Sequence, residues 1–325
     1  MEETNQLDPE RQEKAKLYAR ISRRLMVIDL ALGGVYLAAW LIFGWEKALK
    51  NFLLQFTTSP WLLVIAFVAV FGAIYYVIDF PLSYYEGFIL PHRFDQSTET
   101  LGGWISDQVK GLVVSAVLGG LVLEIIYAVL RAFPDTWWLW AAAILLLFSV
   151  ILANLAPVLL MPLFYKFVPL GEEYSELAQR LVRLAERAHT RVKGVYKFDM
   201  SRRTKSANAA LTGLGNTRRI ILGDTLLNEF TPDEIEAVMA HELGHNVNKD
   251  IPLGIIIQSL ITLVGLWLAS LGLRYGAGAL GLDGPADVAA MPLFILVMGL
   301  YGLVTMPLTN AFSRWRERRA DEYAL

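Results

Sequence analysis

At 325 residues and 55% hydrophobic content, the chain is richer in apolar residues than a soluble globular protein of ordinary composition. A formal net charge of −2 gives no reason to expect a nucleic-acid partner. With no cysteine, disulfides and thiolate metal sites are excluded.

The first 24 residues are charged and lack the cleavage pattern of a signal peptide. "DPERQEKAKLYARISRRL" reads as an amphipathic helix lying on a membrane and leading into a first span. Apolar runs follow at 25–45, 61–80, 109–130, 137–164, 251–273 and 291–308. Each is near the ~20 residues a helix needs to cross about 30 Å of hydrocarbon. The pattern predicts a mainly α, polytopic membrane protein with six transmembrane helices, the fourth bent at Pro157 and Pro162. Its parts would be an N-terminal segment (1–24), a four-span unit (25–164), a polar α+β module (165–250), a two-span unit (251–312) and a C-terminal helical stub (313–325). Lysine and arginine concentrate before residue 25, between 165 and 250, and after 313. The positive-inside rule therefore puts both termini and the polar module on the cytoplasmic side. That means the cytoplasmic membrane in a bacterium, or the endoplasmic reticulum membrane in a eukaryote.

Within the module, "EEYSELAQRLVRLAERAH" has helical periodicity, with Leu177, Leu181 and Leu184 on one face. "GVYKFDM" and "RRIILGD" read as strands, and "NAALTGLGNTRRIIL" as two strands joined by a glycine-containing turn. A helix starts at "TPDEIEAVMAHELGH", with Thr231 as N-cap, Pro232 at the first position and Glu234 completing a capping box.

That helix ends in His-Glu-x-x-His. The i, i+4 spacing places His241 and His245 on one face, where two imidazole nitrogens reach one zinc ion, and Glu242 beside them can take a proton from water. A five-residue match also arises by chance on a solvated helix end. Against that, only four histidines occur, two of them at this spacing, and the capped helix abuts a membrane span. Catalytic zinc normally takes three protein ligands. "NAFSRWRERRADEYAL" offers Glu317 as the third, with Asp321 one turn on to hold a histidine N–H. Ion pairs with Arg314, Arg316, Arg318 and Arg319 on a solvated face are the simpler reading of these two acids.

Several longer segments carry a resemblance. "PLSYYEGFILPHRFDQSTETLGGWISDQVKG", "LMPLFYKFVPL", "RRTKSANAALTGLGNTRRIILGDTLL", "DEIEAVMAHELGH" and "NAFSRWRERRAD" occur in the order found in type I CAAX prenyl proteases, which are integral-membrane zinc metallopeptidases. The resemblance implies His241, His245 and Glu317 as ligands of one Zn2+ per chain, Glu242 as catalytic base and Asp321 beside the site. It also implies a ring of helices around a large water-filled chamber, which would account for Glu124 and Asn154 at membrane depth. Three departures stand out. Eukaryotic members carry an additional N-terminal span, a family histidine is replaced near Lys205 or Ala207, and relatives continue past position 325.

The expected function is therefore a zinc-dependent endopeptidase working in an intramembrane chamber. Its substrates would be peptides or proteins, prenylated or membrane-embedded, added as a strand along the edge containing Asn208 and Ala209. The alternatives are a broad membrane-protein quality-control metalloprotease, and a carrier or scaffold that keeps the fold without proteolysis.

Overall fold

A computed structural model describes residues 8–213 and 218–325. Helix α1 (Pro9–Phe43) starts where the Asp8 carboxylate accepts the Glu10 N–H at 3.0 Å, and it ends at Gly44, whose φ of 68° no L side chain adopts comfortably. No breaker separates the polar N-terminal turns from the apolar run, so surface segment and first span form one rod. The residues before 8 lie outside the described part. Helix α2 (Trp45–Leu53), which hydropathy gave no reason to expect, crosses the far ends of the spans. Lys47 Nζ donates to the Leu280 carbonyl at 2.8 Å, while Lys50 bridges Asp283 and Asp287 at 2.6 and 2.8 Å.

Helix α3 (Pro60–Tyr84) passes through one wide turn (Tyr85–Ile89) into α4 (Leu90–Arg93). Helix α5 (Leu101–Ala132) is capped by Thr100, whose hydroxyl accepts the Gly103 N–H. Helix α6 (Trp137–Leu155) widens over Ala156–Leu160 and re-forms as α7 (Met161–Phe164). The expected bend is thus a wide turn, placed where Pro157 cannot donate a helical hydrogen bond. Among the described residues, six stretches are long and apolar enough to cross a membrane.

The module carries a four-stranded sheet in the order β1-β2-β4-β3. Strand β1 (Phe167–Pro169), too short to read from sequence, pairs antiparallel with β2 (Val195–Phe198). Strand β3 (Ala209–Thr212) pairs antiparallel with β4 (Arg219–Gly223), Ala209 opposite Leu222, and β4 runs parallel to β2. Part of the turn expected between β3 and β4, residues 214–217, lies outside the described residues. Helix α8 (Ser175–Arg187) buries Leu177, Leu181 and Ala185 against this sheet, with Leu184 half-buried beside them. After the short α9 (Asp224–Glu229) comes α10 (Pro232–Val247).

Two long helices complete the chain, α11 (Asp250–Ala279) and α12 (Met291–Ala324). The helical stub expected over 313–325 is the end of α12. With no glycine or proline after Pro307, α12 runs unbroken from the last span into the charged tail. Its docking on α11 depends on side-chain size. A Cβ on Gly265, Gly272 or Gly276 would fall within 2.8–2.9 Å of Tyr301, Val297 or Leu293. Small residues at such crossings let membrane helices approach closely.

Packing is uneven along the bundle. The buried membrane core comprises Trp40, Phe67, Phe71, Tyr127, Trp137, Leu273 and Met291 among others, mostly in the halves of the helices away from the module. Toward the module the spans bury little: α6 hides only Trp137 and Ala141, both in its first turns.

Candidate metal centre

Helix α10 begins as the sequence predicts. The Thr231 N–H donates to Glu234 at 2.8 Å and the Thr231 hydroxyl accepts the Glu234 N–H, closing the capping box. Ile235, Met239 and Leu243 are buried in the module core, which fixes the rotation of the helix. His241, Glu242 and His245 are only partly buried.

The two imidazoles meet edge to face, with ring centroids 4.9 Å apart. Glu317 comes from α12. Its Oε2 lies 3.5 Å from His241 Nε2 and 3.7 Å from His245 Nε2, and the three potential ligand atoms lie within 4.8 Å of one another. Ligands at about 2.1 Å from a tetrahedral zinc are separated by roughly 3.4 Å, so this spacing suits the ion. The donor set, two neutral imidazoles and a carboxylate, is one that zinc takes in catalytic sites.

The other ring nitrogens are engaged. His241 Nδ1 is 2.9 Å from Asp321 Oδ1, and His245 Nδ1 is 2.8 Å from Asp250 Oδ2. A carboxylate that accepts an Nδ1–H leaves the Nε2 lone pair free for a metal, on the side where Glu317 lies. Asp321 was expected in this role. Asp250 was not, although its side chain is only 1% exposed. Lys249, with φ of 56°, turns the chain sharply after α10 and brings Asp250 back under His245. The signal available in sequence was a lone acid opening an apolar run five residues after the second histidine.

Two arginines of α12 pair elsewhere. Arg316 Nε lies 3.6 Å from Asp250, and Arg319 donates to Asn248 at 2.8 Å. A close contact seats α12 on α10: a Cβ at Gly244 would meet the Ala320 backbone at 3.0 Å. Burial pushes the Glu242 carboxyl above the usual range and nearby Glu317 adds to the rise, while the two histidines oppose it.

Asn208 and Ala209 lie where the edge strand begins, and β3 packs against α10. The Asn208 carbonyl accepts from the Gly223 N–H at 2.8 Å, and Ala209 is buried. Lys205 pairs with Asp95 at 2.6 Å. Glu124 keeps both carboxylate oxygens buried without a hydrogen-bond partner, whereas the Asn154 amide donates to its own helix at Val150 and needs no chamber to satisfy it.

Comparison with known proteins places the chain in a family. Residues 2–166 match the family described as CAAX prenyl protease N-terminal, five membrane helices, of which four candidate spans lie here among the described residues. Residues 172–325 match Peptidase family M48. An uncharacterized metalloprotease of Bacillus subtilis, YhfN, is 30% identical over 96% of this chain and 73% of its own length. CAAX prenyl protease 1 of Saccharomyces cerevisiae is 36% identical, over 61% of this chain and 44% of its own. The crystal structure of S. mikatae Ste24p superposes with a TM-score of 0.85 at 25% identity, covering 99% of this chain and 79% of that one. The sparse packing of the spans on the module side is accordingly the wall of a membrane chamber. The chain belongs to peptidase family M48 and is a multi-pass membrane metallopeptidase of the CAAX prenyl protease-like kind.

Proposed function

We propose that His241 Nε2, His245 Nε2 and Glu317 hold one zinc ion per chain and that Glu242 is the base for peptide-bond hydrolysis. The observation that carries this reading is the convergence of both Nε2 atoms on one Glu317 oxygen while both Nδ1 atoms are tied to carboxylates. Zinc held there supplies a Lewis acid for the scissile carbonyl and lowers the pKa of water. Glu242 accepts the proton of the attacking water and returns it to the leaving amine. Asp250 and Asp321 keep the rings in the ligating tautomer. The substrate main chain adds along the β3 edge from Asn208 and Ala209, beside α10.

The eukaryotic relatives named CAAX prenyl protease favour prenylated C-terminal peptides as substrates. The Bacillus relative, named only as a metalloprotease, leaves unmodified membrane peptides as the second reading. The module faces the cytoplasm on the strength of its basic flanks. The deciding experiment is cleavage of a prenylated CAAX peptide and an unmodified membrane peptide side by side, with Glu242→Gln as control. Preference for the prenylated peptide supports the first reading. Turnover that survives Glu242→Gln refutes the assignment of the base.

A further inference from the structure

Residues 25–43 of α1 carry one charge, Asp29, and rise about 28 Å at ~1.5 Å per residue, close to the ~30 Å of a hydrocarbon core. Arg24 therefore lies at the hydrocarbon edge. Tyr18 meets Phe94 edge to face, and the next residue, Asp95, pairs with Lys205, so this is the edge on the module side. The helix has no break there, and Arg23, Arg20 and Lys16 follow outward along it. From Arg24 to Arg20 is about 6 Å along the axis, the depth of one headgroup layer. At about 100° per residue these four cations share a stripe roughly 100° wide. The opposite side of the helix packs on the protein. Leu25 is buried there, and Asp29 accepts from the Tyr75 hydroxyl at 3.2 Å and lines a cavity of about 310 Å3 with Asp79, Glu86 and Gln108. The stripe thus points away from the bundle, and it runs on into Val27, Ala31 and Val35, all exposed. Arg11 and Lys14, on other sides of α1, pair with Asp8 and Glu10. Lys16, Arg20, Arg23 and Arg24 form no ion pair or side-chain hydrogen bond with any described residue. Glu13, the acid on this side, lies a turn farther out than Lys16 and about 10 Å from Arg20 along the axis.

We propose that this stripe is a docking surface for anionic phospholipid in the leaflet on the module side. Arg20, Arg23 and Arg24 stand at the depth of the lipid phosphates, and a guanidinium fork matches a phosphate with two parallel hydrogen bonds. Lys16 lies about 6 Å beyond Arg20, inside the ~8–10 Å over which salt leaves attraction unscreened. A zwitterionic headgroup offers the same phosphate, but its own ammonium cancels the field, so the unneutralised cations select net negative lipid. A protein partner would need an apolar anchor at the centre of its contact, and the stripe holds none between Lys16 and Arg24. Membrane orientation requires only an excess of cations on one side, not four of them unpaired on one lipid-facing surface.

The absence of cysteine makes the test direct. The full chain with Val27→Cys, labelled with a fluorophore, is reconstituted in phosphatidylcholine vesicles containing brominated phosphatidylglycerol or brominated phosphatidylcholine. The ratio of the two quenching constants reads the preference for anionic lipid beside the stripe. It should be about fivefold or more, the worth of one basic residue near an anionic surface. Replacing Arg20, Arg23 and Arg24 together by Gln should bring the ratio close to one. A wild-type ratio near one, or a ratio that survives the triple substitution, overturns the proposal. Should the triple variant fail to insert, the unsubstituted stripe still decides. Raising salt from about 0.1 to 1 M shortens the screening length from ~10 to ~3 Å and should at least halve the preference, whereas an unchanged ratio overturns it. Inorganic phosphate should lower the ratio no more than chloride of equal ionic strength. A larger loss means that the stripe takes free phosphate, and the assignment to lipid fails.

Discussion

Gly244→Ala is the most diagnostic small change in the molecule, because two effects of known sign oppose each other there. In an exposed helix interior, replacing glycine by alanine stabilises by about 0.8–1.0 kcal/mol. Here the new methyl would sit 3.0 Å from Ala320 Cα and from Ala320 O, and 3.2 Å from Tyr323 Cβ. Comfortable carbon contacts begin near 3.5 Å, so α12 must retreat from α10 by about half an ångström. Backbone cannot rotate aside as a side-chain tip does, and overpacking of this kind costs about 1–3 kcal/mol. The larger cost wins, and the sign is destabilising. The same retreat carries Glu317 and Asp321, three residues before and one after Ala320, away from His241. Metal sites tolerate about ±0.2 Å in ligand distance, so half an ångström is felt. Gly244→Ala should therefore lower zinc affinity at least tenfold while the protein remains folded. Chelator competition measures the affinity, and thermal unfolding of the metal-free protein in detergent measures the packing cost. A variant with a raised melting temperature and wild-type zinc affinity would refute the reasoning.

The remaining expectations are more direct. Glu242→Gln should keep its zinc, measured by elemental analysis, and lose about 10²–10⁴-fold in peptide turnover. Asp250→Ala and Asp321→Ala should each weaken zinc binding by roughly 10–100-fold, and chelator competition on both will show whether the unforeseen Asp250 matters as much as Asp321. Asp224 gives a pH-dependent case. Burial raises its pKa, but bonds from the Ser201 hydroxyl and from the Ser201, Thr225 and Met200 N–H groups outweigh this and hold the carboxyl below its usual range. Its stabilisation is then fully present above the unfolded pKa of about 3.9 and lost as pH falls through the lower folded value. The gap in melting temperature between wild type and Asp224→Asn should accordingly hold steady from neutral pH to about 4 and close below that.

What could be read from the sequence was local or strongly periodic. Thr231, Pro232 and Glu234 announce the start of α10 within four residues, and the i, i+4 histidines follow from helical geometry alone. The six apolar runs were legible because a bilayer imposes their length. The role of Asp250 was hidden because it depends on one left-handed residue, Lys249, folding the chain back on itself. Helix α2 and strand β1 are held by distant partners, the 280–287 loop and β2, and carry little signal of their own. The pairing of Glu317 with histidines rather than with neighbouring arginines was a tertiary choice. Gly244 against Ala320 helps to make it, and spacing could only permit it.

The continuity of α12 makes the bilayer a component of the active site. Met291 begins the helix at the far side of the membrane and Glu317 lies 26 residues on, about 39 Å away at ~1.5 Å per residue. If the helix tilts as one body despite Pro307, a tilt of about 5° over that length moves the carboxylate by roughly 3 Å, more than the width of a metal–ligand bond. Helices answer mismatch with bilayer thickness mainly by tilting, at small energetic cost. The glycine crossings with α11 and the seat on α10 are what restrain that tilt. Zinc off-rates measured across vesicles of graded acyl-chain length should therefore track bilayer thickness, with Gly272→Leu steepening the dependence.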